Sequence, residues 1–201
     1  MTDAVDDEGP ADDRVGEAEE PRQVASGSRS TRNIVEWIGI VVGALLVAVI
    51  VKTFLIQAFY IPSLSMYSTL DKGDRVLVNK VSYHLHDIHR GDVVVFKRPP
   101  GVPDTGIKDL IKRVVGLPGD TVEGHDGAVY VNGKRLVENY LDEGTVTSDF
   151  SPEKIPVGDI FVMGDNRGNS EDSRVFGPID DDLVVGRAFV RVWPLQDFDL
   201  L

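Results

Sequence analysis

Residues 109–120 read DLIKRVVGLPGD. Leu110, Ile111, Val114 and Val115 enclose the pair Lys112-Arg113, and Leu117-Pro118-Gly119-Asp120 closes the run with turn residues. The run is too short for a typical helix and rich in β-branched residues, which predicts a strand over 111–115 ending in a turn. Successive side chains of a strand point to opposite faces, so Lys112 and Arg113 diverge. One can enter a dry cleft while the other stays wet or paired. An ammonium held among Ile and Val loses hydration, which lowers its pKa and leaves an amine able to accept a proton. The same pair also suits an exposed strand edge, where basic side chains deter aggregation.

Outward from this strand the body repeats its character. Short runs rich in Val, Ile and Phe at 76–79, 93–96, 129–131, 160–163 and 184–192 alternate with Arg90-Gly91-Asp92, Asn132-Gly133 and Gly164-Asp165-Asn166. This predicts a mainly β body of antiparallel sheets. Asn132-Gly133, set between VYV and KRL, predicts a type I′ hairpin. No 3.6-residue pattern longer than two turns follows residue 60, and no internal repeat is present. Residues 121–156 carry their own hairpin and many polar side chains, which predicts a small β subdomain inserted into a core of 52–120 and 157–201; a 36-residue structureless loop would be unusual there.

The N-terminal part differs. Residues 34–51, IVEWIGIVVGALLVAVIV, hold one charge, Glu36. As a helix they rise about 27 Å, close to the hydrocarbon thickness of a bilayer. Glu36 and Trp37 would sit in the first turn at the interface, with Lys52 at the other end. A core helix would show a polar stripe, and this one shows none. A cleaved leader would start nearer the N-terminus and end at a small-residue site. The reading is a retained single-pass anchor. Arg22, Arg29 and Arg32 precede it with no acid among them, against Lys52 alone after it, which places the N-terminus in the cytoplasm and the body outside. Residues 54–61 continue apolar and suggest a surface that dips into the interface. Residues 1–33 hold nine acids and four arginines and almost no large apolar residue, which predicts a disordered tail.

The net charge is −12, and neither the tail nor the body is basic, so a nucleic-acid partner is not expected. The chain has no cysteine, which excludes a disulfide scaffold, a thiolate zinc site and a cysteine nucleophile.

Three segments could carry chemistry. Directly after the anchor stands Phe59-Tyr60-Ile61-Pro62-Ser63-Leu64-Ser65-Met66, in which Pro62 fixes the backbone ahead of two serines. A serine nucleophile needs a base. The histidines His84, His86 and His89 form an H-x-H cluster that could hold a metal on one strand face or lie in a solvated turn, and no third ligand spacing is evident. The G-x-S-x-G elbow is absent. Lys112 is the other candidate base. The third segment, residues 163–174, MGDNRGNSEDSR, is too polar for a strand and does not fit an EF-hand loop; its short side chains could orient a neighbouring amine or form a plain solvated loop.

These segments, in this order behind one apolar span, resemble bacterial type I signal peptidases. Pro62-Ser63-x-Ser65-Met66 is similar to the family's serine box, and Arg90-Gly91-Asp92-Val93-Val94-Val95-Phe96 to its next strand box. Lys112-Arg113-x-Val115-Gly116-Leu117-Pro118-Gly119-Asp120 is similar to the lysine box, and Gly164-Asp165-Asn166-Arg167-x-Asn169-Ser170-x-Asp172-Ser173-Arg174 to the last. The resemblance covers about 52–193 and implies the following roles. Ser65 is the nucleophile and Lys112 the general base. The Ser65 backbone N–H and the Ser63 hydroxyl form the oxyanion hole. Ser170 orients the Lys112 amine, Asp172 and Arg174 pair to brace that loop, and Arg113 is structural. Phe59, Ile61, Met66, Leu70, Val95, Leu110 and Ile111 line pockets for small residues. It further implies a membrane-bound Ser/Lys endopeptidase that removes signal peptides from exported preproteins after A-x-A sites, working at the lipid bilayer near the secretion translocon, with no metal or cofactor. Departures are Ser68 for a usual proline, Gly168 for a usual acid and Phe176 for a frequent larger aromatic. Two other readings exist: a Ser/Lys autoprotease of the repressor type, against which stands the lack of a helix-turn-helix pattern, and a catalytically inactive membrane-tethered β module, against which stands the joint presence of Ser63, Ser65, Lys112 and Ser170.

Overall fold

The computed structural model describes residues 27–103 and 106–201, and for 27–32, Thr53 and Phe54 the backbone alone. Most of the acidic tail lies outside the described residues. The chain divides into two units, residues 1–44 and 45–201.

The helix α1 spans Gly27–Ile50. Within it Asn33–Ile50 has a mean hydropathy of 2.3 and is buried against nothing, long and apolar enough by length and composition to cross a membrane. It starts seven residues before the apolar run, because no proline interrupts 27–33 and a helix propagates at one hydrogen bond per added residue. Glu36 and Trp37 therefore stand in the third turn, not the first. The helix closes in a π-helical turn, Val51–Leu55, after which the backbone at Ile56 turns extended.

The second unit is built of strands. In chain order these are β1 (Ile56–Tyr60), β2 (Arg75–Asn79), the single turn of helix α2 (Ser82–Leu85), β3 (Val93–Lys97) and β4 (Asp109–Gly116). Then come β5 (Thr121–His125), β6 (Ala128–Val131), β7 (Lys134–Arg135), β8 (Phe150–Lys154) and β9 (Asp159–Met163). The short helix α3 (Ser173–Phe176), β10 (Ile179–Asp180), β11 (Val184–Trp193) and β12 (Asp199–Leu200) complete the order. Every run of Val and Ile expected to be extended is a strand. Residues 84–86 are not: His84 lies in α2, and His86 turns its Nδ1 to the Asp87 carbonyl at 2.9 Å.

The larger sheet runs β1-β2-β11-β3-β4-β9-β10, with β12 on β11, and all its pairs are antiparallel. The smaller sheet runs β7-β6-β5-β8 and is made wholly from residues 121–154. Its hairpin turn has φ of 53° at Asn132 and 73° at Gly133, the two positive angles of a type I′ turn. A fold of antiparallel sheets carrying a small β insertion is what the alternation of apolar runs and turn residues predicts.

Three apolar clusters hold these layers. Ile61, Met66, Leu70, Val76, Val78, Val93, Val95, Ile111 and Ala188 pack the turn after β1 against the sheet. Val94, Phe96, Val114, Ile160, Val162 and Ile179 fill another, with Leu110 at its margin. Val115, Val122, Val129, Val131, Ile155, Phe161 and Met163 weld the smaller sheet to the larger. Full burial of each large aliphatic contributes about 1.5–3 kcal/mol.

Gly186 sits at the bulge where β11 shifts register against β3. A Cβ there would strike the Asn79 carbonyl and come within 3.0 Å of Lys80 Cα, both backbone. Gly186→Ala should lower unfolding free energy by about 1–3 kcal/mol, the cost of forcing a methyl into packed structure. Chemical denaturation of parent and variant measures this, and equal midpoints would contradict the close approach.

Candidate active site

The turn between β1 and β2 is knitted by its own backbone. The Ile61 N–H donates to the Asp74 carbonyl and Gly73 N–H to Ile61 carbonyl, both at 2.9 Å, and Leu70 N–H to Met66 carbonyl at 2.7 Å. Pro62 cannot donate, and Met66 and Leu70 anchor the turn in the core, so the serines between are held on a set path. Ser65 is 8% exposed. Its Oγ lies 3.3 Å from Ser63 Oγ.

Lys112 stands mid-strand in β4, opposite Val94 of β3, and is 4% exposed. Its Nζ donates to Ser65 Oγ at 2.6 Å, across 47 residues of chain. Burial lowers its pKa from 10.5 to about 8, while Asp172, Asp165 and Glu171 pull the other way and Arg174 adds to the lowering. A primary amine that loses its proton near pH 8, beside an alcohol, has the chemistry of a general base.

Arg113, the neighbour on the opposite face, is equally buried and fully engaged. Its Nη2 meets Asp165 Oδ2 at 2.7 Å, Nε meets Oδ1 at 3.0 Å, Nη1 reaches the Gly91 carbonyl at 2.9 Å, and its guanidinium carbon lies 4.0 Å over the Tyr140 ring. Thr69 donates to the same carboxylate at 2.6 Å. The Lys112-Arg113 pair is thus no exposed basic edge.

The polar segment after β9 forms a loop that holds the serine-bearing turn. Asn166 N–H donates to the Ser65 carbonyl at 3.1 Å, and Asn166 Nδ2 to the Leu64 carbonyl at 3.0 Å. Asp172, wholly buried, accepts from Gly164 N–H at 2.9 Å and from Arg174 Nε and Nη2 at 2.8 Å each, and caps α3. Burial alone would raise its pKa, but the Arg174 guanidinium and the Gly164 N–H hold it below the usual carboxylate range. Gly164 packs so closely that a Cβ would collide with Ser170 Oγ and the Ser65 carbonyl.

The Asp172–Arg174 pair forms as expected. The Ser170–Lys112 hydrogen bond does not: Ser170 Oγ is tucked against Gly164, close enough to Asp172 to help hold that carboxyl's pKa down, and the Lys112 amine is turned to Ser65. The expected pocket residues divide. Ile61, Met66, Leu70, Val95 and Ile111 all sit in one buried cluster with Phe59 at its edge. Leu110 falls to the other cluster, because the pleat turns it away from Ile111. Asp165, Asn166 and Arg167 stand in the polar box picked out from the sequence but were given no role there, and Thr69 was not singled out at all.

The sequence profile described as "Signal peptidase, peptidase S26" matches residues 34–193. The chain belongs to that family. Among its relatives, the probable signal peptidase I-2 of Synechocystis is 44% identical over 161 residues, which are 80% of this chain and 73% of that one. Signal peptidase I of Leptolyngbya laminosa is 38% identical over 86% of each chain, and signal peptidase I T of Bacillus subtilis 35% over 86% of this chain and 92% of its own. A crystal structure of a signal peptidase I from Enterococcus faecalis aligns over 51% of this chain and 97% of that chain at 33% identity, with a TM-score of 0.43. The protein is an S26 peptidase, a serine hydrolase of the signal peptidase I kind.

The lysine gives a sign for pH. The unfolded chain keeps this proton to about 10.5 and the native state releases it near 8, so the native state binds fewer protons in between. The burial cost, about 3 kcal/mol, stands in full below pH 8 and is lifted as pH rises to 10.5. Side-chain ¹⁵N NMR of Lys112 should show a midpoint about 8; a midpoint with the surface lysines would contradict the dry setting.

Proposed function

We propose that this peptidase cleaves N-terminal signal peptides from exported preproteins after small residues, of the A-x-A type, with Ser65 and Lys112 as its dyad. The observation that carries the reading is the 2.6 Å contact of a buried Lys112 Nζ with Ser65 Oγ. Relatives named signal peptidase I support the substrate class.

In this mechanism the neutral Lys112 amine takes the Ser65 proton as Oγ attacks the scissile carbonyl. The amine then returns that proton to the leaving nitrogen, and the C–N bond breaks to leave an ester on Ser65. A water, deprotonated by the same amine, hydrolyses the ester and restores the serine. Charge on the substrate oxygen is met by the Ser65 N–H and the Ser63 hydroxyl, donors that serve the transition state. Ser170 is proposed to engage the amine once Ser65 is acylated. Asp172 with Arg174, and Arg113, hold the surrounding backbone. Phe59, Ile61, Val95 and Ile111 are proposed as the apolar wall that admits small side chains. These steps draw on no metal or cofactor.

The catalytic core is proposed to comprise 52–120 and 157–201, with 121–156 as the inserted unit. The apolar helix is proposed as a single-pass anchor with its N-terminus in the cytoplasm and the body on the far side, near the secretion translocon. Tethering in the bilayer that also holds the substrate's apolar segment raises effective concentration and fixes cleavage depth. An inactive β module would not need a buried amine on an alcohol, and a self-cleaving protease would act on its own chain.

Purified protein with a preprotein bearing an A-x-A site discriminates these readings. The parent should cut it, and Ser65→Ala and Lys112→Ala, still folded, should not. Ser63→Ala should slow turnover by about two to three orders of magnitude, as for loss of one oxyanion donor. Turnover in Ser65→Ala, or parental rates in Ser63→Ala, would overturn the respective assignment. Parental activity should climb with pH through about 8 as Lys112 loses its proton, and a plateau already reached at acid pH would exclude the amine base.

A further inference from the structure

We propose that Glu138 and Tyr140, on the segment that connects β7 to β8 of the smaller sheet, are positioning residues for the Ser65–Lys112 pair. The inference rests on the dyad reading above.

Glu138 forms a fork with Arg167. Its Oε1 accepts from Arg167 Nη2 at 2.5 Å and its Oε2 from Nη1 at 3.0 Å. The same Oε1 accepts the Tyr140 hydroxyl at 2.6 Å. The Arg167 side chain is 0% exposed and that of Glu138 9%, so this is a desolvated, bidentate pair, the geometry in which an arginine fixes orientation as well as charge. Arg167 also donates through Nη1 to Thr147 at 2.9 Å and through Nε to the Gly164 carbonyl at 3.1 Å. Gly164 is the residue at which any Cβ would collide with the Ser65 carbonyl and Ser170 Oγ.

Tyr140 works on the other arginine. Its ring lies 4.0 Å beneath the Arg113 guanidinium, which grips Asp165 and reaches Thr69 of the serine-bearing turn at 3.2 Å. Between Gly164 and Arg167, Asp165 accepts from Thr69 and Asn166 donates to the carbonyls of Leu64 and Ser65. The peptide of the nucleophile therefore hangs on residues 164–167, and those residues are clamped from beneath by one carboxylate and one ring supplied by the smaller sheet. Burial raises the Tyr140 pKa well above that of a free phenol, aided by Glu138, so the hydroxyl stays a donor across the working range.

The experiment measures kcat and KM on a peptide substrate, per folded molecule, against pH. Lys112 is faced by Asp172, Asp165 and Glu171 and by Arg174, and burial dominates its ionisation. A loop that slackens lets water reach the amine, so the midpoint of the pH–kcat profile should move up from about 8. Glu138→Gln should lower kcat about 10- to 100-fold with KM changed less than about threefold, the pattern of lost transition-state geometry without lost binding. Tyr140→Leu should do the same more weakly, and Tyr140→Phe, which keeps the ring under Arg113, should recover most of that loss. A purely stabilising role would lower the melting temperature and the folded fraction but leave kcat per folded molecule and the midpoint with the parent, and that result in either Glu138→Gln or Tyr140→Leu overturns the proposal. Should Glu138→Gln not fold, the Tyr140 pair decides alone. Ser65→Ala run alongside separates the two claims: activity in that variant removes the dyad, whereas its inactivity beside parental kcat and midpoint in the Glu138 and Tyr140 variants removes the positioning role only.

Discussion

The whole candidate site depends on keeping one amine dry. An ammonium in water is stabilised by hydration that no apolar cluster can replace, so a lysine buried mid-strand gives up its proton far more readily than one on the surface. Lys112 reaches that state because β4 lies inside the larger sheet, with β3 on one side and β9 on the other. The turn after β1 is then packed over it by Met66 and Leu70. Without the burial of those two residues the serines would have no fixed height above the lysine. Charge nearby is set against the same end. Asp165 is engaged by Arg113 and Asp172 by Arg174, so the carboxylates that would favour an ammonium are largely spent on guanidiniums.

Much of this could be read from residue order. The strands followed from β-branched runs bounded by Gly, Pro, Asn and Asp, and the hairpin from Asn132-Gly133, because in both cases the local chain decides. Ser65 and Lys112 stood out only through the resemblance of four motifs in order, since a serine after proline is commonplace and a Lys-Arg pair in a strand suits an exposed edge equally well. Two kinds of feature were not. The start of α1 ran past the apolar boundary, since helix propagation responds to the absence of breakers and not to hydropathy. The contacts of Glu138, Tyr140, Arg167 and Asp165 join segments up to 96 residues apart, and nothing in the neighbours of each residue says which distant partner it meets. Leu110 failed for a third reason: its suitability for a pocket is a matter of strand parity, and parity relative to a cleft is fixed only when the sheet is assembled.

The two arginines flanking the site illustrate how a polar network can be buried without loss. Arg113 and Arg167 are both nearly inaccessible, and each has a carboxylate, a carbonyl and a hydroxyl for its donors. A buried guanidinium satisfied in this way defines one loop conformation, where a half-satisfied one would leave several of similar energy. This is how a glycine-rich stretch such as residues 164–168 holds a single path without apolar anchors of its own.

The strand order also fixes when the centre can exist. The turn that carries Ser65 leads into β2 and Lys112 lies on β4, yet β2 and β3 do not pair; β11 stands between them. Residues 184–193 are therefore the keystone that couples an alcohol near position 65 to an amine at 112. A chain emerging in order from a ribosome or a membrane channel holds Ser65 and Lys112 long before it holds that strand, so the contact between them has to wait for residues 184–193.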